Sequence, residues 1–307
     1  MKNNKIIAIV GPTGSGKTAW AKILARKFNG QVISCDSRQI YRGMDIGTGK
    51  DKSFQQGLID IATPDKIYSV KDYQEAANKT INQYLGMKAL PMLVGGTGLY
   101  LEAVLYGYVI PGLKMESLEL RKKLEKLSNS ELLAQLKKID PKSAIKIDSK
   151  NHRRLIRALE VSILSKKPFS AQKKKRKPKF DALIIGIDTD RETLYAKIDA
   201  RIEQMIKKGL VEEVRDLTKK YPKDLPALNT IGYKEIVDYI SANEIPRQAK
   251  LGHLQGKQTL KEAVQKIKFN THAYVRRQET WFRHDKNVKW VKNISQAEKL
   301  IKKFLAK

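Results

Sequence analysis

Only one cysteine, Cys35, stands in 307 residues. No disulfide can therefore close within the chain, and no cysteine-rich zinc site can be built. The four histidines, His152, His253, His272 and His284, share no metal-ligand spacing. Acidic side chains are scarce: 32 against 61 lysines and arginines, a formal charge of +29 at pH 7, which excludes an acidic solvating chain. Long apolar runs are missing too. Residues 92–110 come nearest to a membrane span, with Glu102 as their one charge, but Gly95, Gly96, Gly98 and Gly107 interrupt them. They read as a buried strand, a turn and a packed helix. Residues 6–10 are too short for a signal-peptide core and run straight into glycine. No membrane segment is expected, and so sparing a use of cysteine suits a reducing compartment, the cytoplasm.

What is present is a 41% hydrophobic chain whose length suggests two domains. The positive charge is unevenly spread. Residues 113–180 hold 21 lysines and arginines against 7 acids, almost half of the net charge, and their apolar pattern is helical, as at 118–127 and 131–139. The run Lys173, Lys174, Lys175, Arg176, Lys177 reads as a solvated linker leaving that block. Solvated lysine-rich faces account for many of these residues, but concentration in one helical block favours a polyanion-binding surface, nucleic acid above all. The flanking segments alternate short apolar runs (5–10, 31–35, 58–61, 90–94, 183–187) with helical patterns (17–28, 70–85, 193–208). Such alternation predicts an α/β fold, a parallel sheet covered on both faces, with residues 1–112 and 181–307 as the core and 113–180 inserted as a helical domain.

The stretch Gly11, Pro12, Thr13, Gly14, Ser15, Gly16, Lys17, Thr18 fits the phosphate-loop pattern, with a strand before it and a helix after it. Its glycines let backbone N–H groups curl around phosphate oxygens at a helix N-terminus; Lys17 would reach the terminal phosphates and Thr18 would offer its hydroxyl to Mg²⁺. A hydrolysing ATPase or GTPase ends a later strand in a metal-holding aspartate. Here the run 90–94 ends in Gly95, Gly96, Thr97 and Gly98 instead, which argues against hydrolysis. The run 31–35 leads into Asp36, a carboxylate at the carboxyl end of a parallel strand, where such sheets bind ligands. Asp36 is a candidate general base or metal-shell ligand; capping the next turn is its plain alternative. Cys35 reads as a small buried side chain.

Taken together, 11–18, the stretch from Asp36 through Thr48, Leu93 to Tyr100, Arg153 to Glu160, Asn229 to Glu235 and Arg276 to Arg283 resemble the tRNA dimethylallyltransferases, in order and across most of the chain. The resemblance implies a phosphate-loop core with a helical insertion. It also implies transfer of a dimethylallyl group from dimethylallyl pyrophosphate to the exocyclic amine of the adenosine 3′ of the anticodon, with Mg²⁺ as cofactor. It further implies that Asp36 takes the amine proton and that Arg201, which by spacing alone could sit on a solvated helix face, joins Thr18 and the loop at the pyrophosphate. tRNA is implied to meet Asp36, Ser37, Arg38, Gln39, Thr97 and Arg121. The same holds for Arg153, Arg154, Leu155, Ile156 and Arg157, and for Thr230, Ile231, Gly232, Tyr233, Lys234 and Glu235. Arg153 and Arg157, four residues apart on one helix, could bridge phosphates. The expected partners are the tRNA anticodon stem-loop and dimethylallyl pyrophosphate, with the protein a monomer. Without cysteines for the zinc finger that eukaryotic relatives often add, the chain is expected to be of bacterial or organellar type. Trp281 and Phe282 read as core anchors or as a base-stacking platform. Three other readings remain: an isopentenyltransferase on free AMP or ADP, which would need no basic insertion; a phosphate-loop kinase of a small metabolite; and a non-catalytic RNA-binding module, which leaves the phosphate loop beside Asp36 unexplained.

Overall fold

Five short apolar segments, bounded by glycine or polar turns, form one parallel sheet: β1 (Lys5–Val10), β2 (Gly30–Ser34), β3 (Leu90–Gly95), β4 (Asp181–Ile187) and β5 (Val288–Val291). The computed structural model describes residues 4–107, 115–172, 178–244 and 259–307. The strand order is β2-β3-β1-β4-β5, with Ile7 opposite Met92 on one side of β1 and Leu183 on the other. Residues 6–10 of β1 are all buried, as a strand covered on both faces requires. One face packs Ile7 and Ile9 with Ala21 and Leu24 of α1 (Lys17–Lys27) and with Ala297 and Ile301 of α12 (Ile294–Leu305).

The chain divides into two compact units, one of residues 1–68, 75–101 and 180–307 and the other of 69–74 and 102–179. Besides the sheet, the first contains a helical cluster. Leu194, Ile198 and Ile202 of α8 (Arg191–Lys207), Val214 and Leu217 of α9 (Leu210–Lys220), Tyr233 and Ile236 of α10 (Tyr233–Glu244), and Ile267 and Val275 of α11 (Leu260–Arg283) pack there with Ile40 and Met44. Helices α2 (Val70–Gly86) and α3 (Gly98–Leu105) flank β3 in sequence.

In the second unit, α4 (Met115–Leu124), α5 (Asn129–Ile139), α6 (Pro141–Lys146) and α7 (His152–Ser165) close around Leu124, Leu132, Leu136, Leu155 and Leu159. Ser128 and Glu131 form a capping box at the start of α5, which satisfies two of its otherwise unpaired N–H groups. Asp140 is buried, which opposes ionisation. Donations from the Ser143 and Ser170 N–H groups and from the Ser170 hydroxyl outweigh this and hold its carboxyl down to about 2.

Two expectations are corrected here. Residues 58–61 do not form a strand: Leu58 and Asp60 adopt left-handed φ angles of 62° and 55°, and isolated bridges at Gly57 and Ala62 flank the segment in place of a ladder. The apolar pair Leu58 and Ile61 mimics a buried strand, but a left-handed backbone cannot run a ladder. Conversely, β5 was not foreseen, because four residues give too short an alternation to read. The linker expected at Lys173 to Lys177, like the domain boundary at 112, lies outside the described residues.

Candidate active site

At the carboxyl ends of β1, β2 and β3 the first unit opens into a cavity of about 670 Å³, lined by Thr13, Lys17 and Thr18, by Asp36 and Gln39, by residues 45–46 and 48–51, by Val94 and Gly95, and by Lys197, Arg201, Met205 and Lys208. This is where an open parallel sheet presents its strand-end loops and helix N-termini. Val10 leads into the phosphate loop, and Gly16, with φ 86°, caps α1 in a conformation that a side chain would strain. Ser15 is buried, and its hydroxyl has no hydrogen-bond partner among the described residues.

Lys17 Nζ donates to the Pro12 carbonyl at 2.7 Å, inside its own loop. Burial pushes its ammonium down to about 8; Asp36 works against this, and the charge on Arg201 adds to it. Arg201 is likewise lowered by burial and supported by Asp36. The guanidinium rests against Gly49, where an added Cβ would fall 1.6 Å from one of its nitrogens and push it aside. Asp36 is half-buried at the end of β2, and its Oδ1 accepts the Arg38 N–H at 2.8 Å. The turn-capping role is therefore real, and it coexists with a place in the cavity beside two cations.

Thr97 ties the β2 and β3 loops together: its hydroxyl accepts the Ser37 N–H at 3.1 Å, and its own N–H donates to the Cys35 carbonyl at 3.2 Å. Gln39 accepts the Ser34 hydroxyl at 2.9 Å. Cys35 is buried, in keeping with a packing role.

The residues that hold this arrangement were not evident in the sequence. Gln278 of α11 is buried; its Oε1 accepts the Thr13 N–H and its Nε2 donates to the Gly96 carbonyl, both at 2.9 Å. One amide thus joins the phosphate loop to the turn after β3, 182 residues away from Gly96 in sequence. Beside it, burial and the nearby Asp36 carboxylate push the Tyr274 phenol up to about 12. Trp281, left open above, packs its indole against Gly98 with part of its surface exposed, whereas Phe282 is a core residue. Glu213 of α9 accepts from three consecutive backbone N–H groups at 45–47. No spacing signal connects these residues to the motifs they serve; Gln278 falls inside a motif but carries no mark of its target.

A family model described as IPP transferase matches residues 39–285, and one described as isopentenyl transferase matches residues 4–61. The chain belongs to the tRNA dimethylallyltransferase family. The family member from Oceanobacillus iheyensis is 41% identical over 94% of this chain and 90% of its own length, and that from Acetivibrio thermocellus is 41% identical over 97% and 96%. The tRNA isopentenylpyrophosphate transferase structure from Bacillus halodurans aligns with a TM-score of 0.70 at 36% identity, covering 99% of this chain and 96% of that one. A eukaryotic dimethylallyltransferase structure aligns at 0.75 with 24% identity, a likeness of fold. The α/β architecture is thus the phosphate-loop NTPase-like fold of this family.

The positions that the family resemblance assigns to tRNA fall into distinct environments. Arg153, Arg154 and Lys234 are exposed. Leu155 and Ile156 are buried within the second unit, so their side chains serve packing. Arg121 and Arg157 both donate to Oε2 of the fully buried Glu160, at 2.8 and 2.7 Å. The expected bridging pair is therefore unequal: Arg153 is open, and Arg157 is tied inward. Tyr233 is buried with its hydroxyl on Glu213, and Glu235 accepts the Gly232 N–H and the Asn270 amide. Thr230 and Ile231 are half-buried. No described helix is long and apolar enough to cross a membrane.

Proposed function

We propose that the protein transfers the dimethylallyl group of dimethylallyl pyrophosphate to N6 of the adenosine 3′-adjacent to the anticodon in tRNA, releasing pyrophosphate. The observation that carries this reading is the carboxylate of Asp36 in the same cavity as Lys17 and Arg201. An acceptor base and cations for a leaving pyrophosphate are what an allylic transfer needs, and nucleotide hydrolysis would need a metal-holding carboxylate after β3 instead. The curated relatives are named for this activity.

In this mechanism N6 attacks the allylic carbon as that carbon's bond to the pyrophosphate oxygen breaks. The bonding pair leaves with the pyrophosphate, and the N6 proton passes to Asp36. The bond from Arg38 fixes the plane of the carboxylate and leaves Oδ2 to accept that proton. Lys17, Arg201 and the N–H groups of residues 16–18 at the start of α1 face the charge growing on the leaving oxygens. Thr18, which lines the cavity beside Lys17 and Asp36, offers an oxygen donor of the kind Mg²⁺ takes and would hold the ion there. Bound there, Mg²⁺ would neutralise charge on the pyrophosphate. The adenosine leaves its stack to reach Asp36, which an anticodon loop permits more readily than a duplex. The exposed Arg153 and Arg154 contact phosphates of the stem-loop, and the protein works as a monomer in the cytoplasm.

The test offers labelled dimethylallyl pyrophosphate and Mg²⁺ to an unmodified tRNA transcript, to the same transcript with the target adenosine changed, and to AMP. Label in the first alone is the expected result. Label in AMP alone would replace this reading with a free-nucleotide prenyltransferase, and label in none would return it to a kinase.

A further inference from the structure

The cavity wall at residues 45–49 has no regular secondary structure, yet it carries Ile46, Thr48 and the glycine on which Arg201 rests. Lys50 ties its Asp45 carboxylate to Asp60, and its backbone N–H groups converge on Glu213. One carboxylate oxygen, Oε2, accepts the N–H groups of Asp45 at 3.0 Å and Ile46 at 2.7 Å. The other, Oε1, accepts the Gly47 N–H at 3.1 Å and the Tyr233 hydroxyl at 2.5 Å. Three successive N–H groups converging on an anion make the concavity that phosphate-binding loops use; here a side chain 166 to 168 residues away fills it. Tyr233 completes the clamp. Burial, reinforced by the Glu213 charge, raises its phenol and keeps it a neutral donor, and its ring lies so close to Gly47 that a Cβ there would sit 2.5 Å from it.

From this geometry we infer that Glu213 is a positioning residue for the pyrophosphate end of the cavity, acting through the 45–49 loop on Arg201. The inference rests on the function proposed above. It assigns Glu213 no contact with substrate. Glu213 takes four donors on its two oxygens, so an amide in its place cannot serve: its nitrogen would face donors with a donor. The 230–235 segment has its own ties, Gly232 N–H to Glu235 Oε2 at 2.7 Å and Asn270 to Glu235 Oε1 at 2.7 Å, so loss of the Glu213 clamp frees the loop without freeing that segment.

The test compares wild type, Glu213→Gln and Gly47→Ala as full-length proteins. Three quantities are read: kcat and KM for dimethylallyl pyrophosphate in transfer to tRNA, the Kd for tRNA, and the Kd for inorganic pyrophosphate with Mg²⁺. A displacement of about 1 Å in a group that orients the reacting end costs roughly 10²-fold, so Glu213→Gln should lower kcat/KM for the donor by about that factor, mainly through KM. Pyrophosphate binding should weaken in parallel, while the tRNA Kd stays close to the wild-type value. Gly47→Ala pushes the same loop off Tyr233 with the carboxylate intact and should reproduce the split, which keeps the inference open to refutation if Glu213→Gln fails to fold. Unchanged donor KM and pyrophosphate affinity in both variants would overturn it. So would an equal loss of donor and tRNA affinity, the mark of general unfolding. A wild type that transfers nothing would instead remove the function proposed above, whatever the variants do.

Discussion

Gln278→Leu removes both hydrogen bonds by which one buried amide holds the phosphate loop against the turn after β3 while keeping most of the side-chain volume. The Gly96 carbonyl is buried and loses its partner, and the half-buried Thr13 N–H loses its own. An orphaned buried polar group costs about 1–3 kcal/mol, with the lower end fitting Thr13, which can reach water, so the pair should cost about 2–4 kcal/mol. In a chain of this size that corresponds to a fall in thermal midpoint of roughly 3–6 °C. The functional loss should be larger than stability alone implies, because Thr13 belongs to the loop that carries the N–H groups of residues 16–18 to the pyrophosphate: a loop loosened by about 1 Å loses roughly 10²-fold in kcat/KM for the donor. Gln278→Glu sharpens the comparison. It keeps an acceptor for Thr13 but sets a second acceptor against the Gly96 carbonyl, so it should be no milder than leucine. Differential scanning calorimetry with steady-state transfer kinetics measures both quantities. A melting point within about 1 °C of wild type in both variants, below what one orphaned group would cause, would refute the argument that this amide fixes the site.

Three further outcomes follow from the same geometry. Lys17 is held below its free value, to about 8, so between about 8 and 10.5 the unfolded chain binds more protons there than the folded one. Its contribution to stability therefore rises with pH through that window, while pyrophosphate affinity of the free protein falls above about 8 as the ammonium is lost. A titration of pyrophosphate binding against pH should show that alkaline limb in wild type, and the same limb in Lys17→Arg would assign it to another group. Removing the Glu160 carboxylate with Ala leaves Arg121 and Arg157 facing one another; with each guanidinium about a third exposed, the cost should be about 1.5–3 kcal/mol in denaturant melts, and a loss under 0.5 would contradict it. Arg153→Ala should reduce the slope of log Kd for tRNA against log salt by about 1, and Arg157→Ala by less, because its guanidinium is held inward on Glu160; equal slopes would make the inward tie irrelevant to RNA.

The parts of the fold that depend on local pattern were readable in the sequence. The spacing of Gly11 to Thr18 between an apolar run and a helical one specifies the phosphate loop, and the runs around 5–10, 31–35, 90–94 and 183–187 fall on strands β1 to β4. Residues 58–61 misled because composition cannot report a left-handed backbone at Leu58 and Asp60. The site was legible where one residue type has one use: Lys17, Thr18 and Asp36 line the cavity, and so does Arg201, whose place the family resemblance supplied. What holds them was hidden. Gln278 and Glu213 act on backbone N–H and C=O groups, which every residue possesses, so no complementary side-chain pattern marks their targets 166 to 265 residues away.

The central claim is that Asp36 accepts the proton from the amine of a tRNA adenosine. Single-turnover transfer from dimethylallyl pyrophosphate to tRNA by Asp36→Ala, with tRNA binding measured on the same preparation, tests it most directly. The account predicts a rate lowered by about 10²–10⁴-fold at wild-type tRNA affinity. Transfer at the wild-type rate would contradict it.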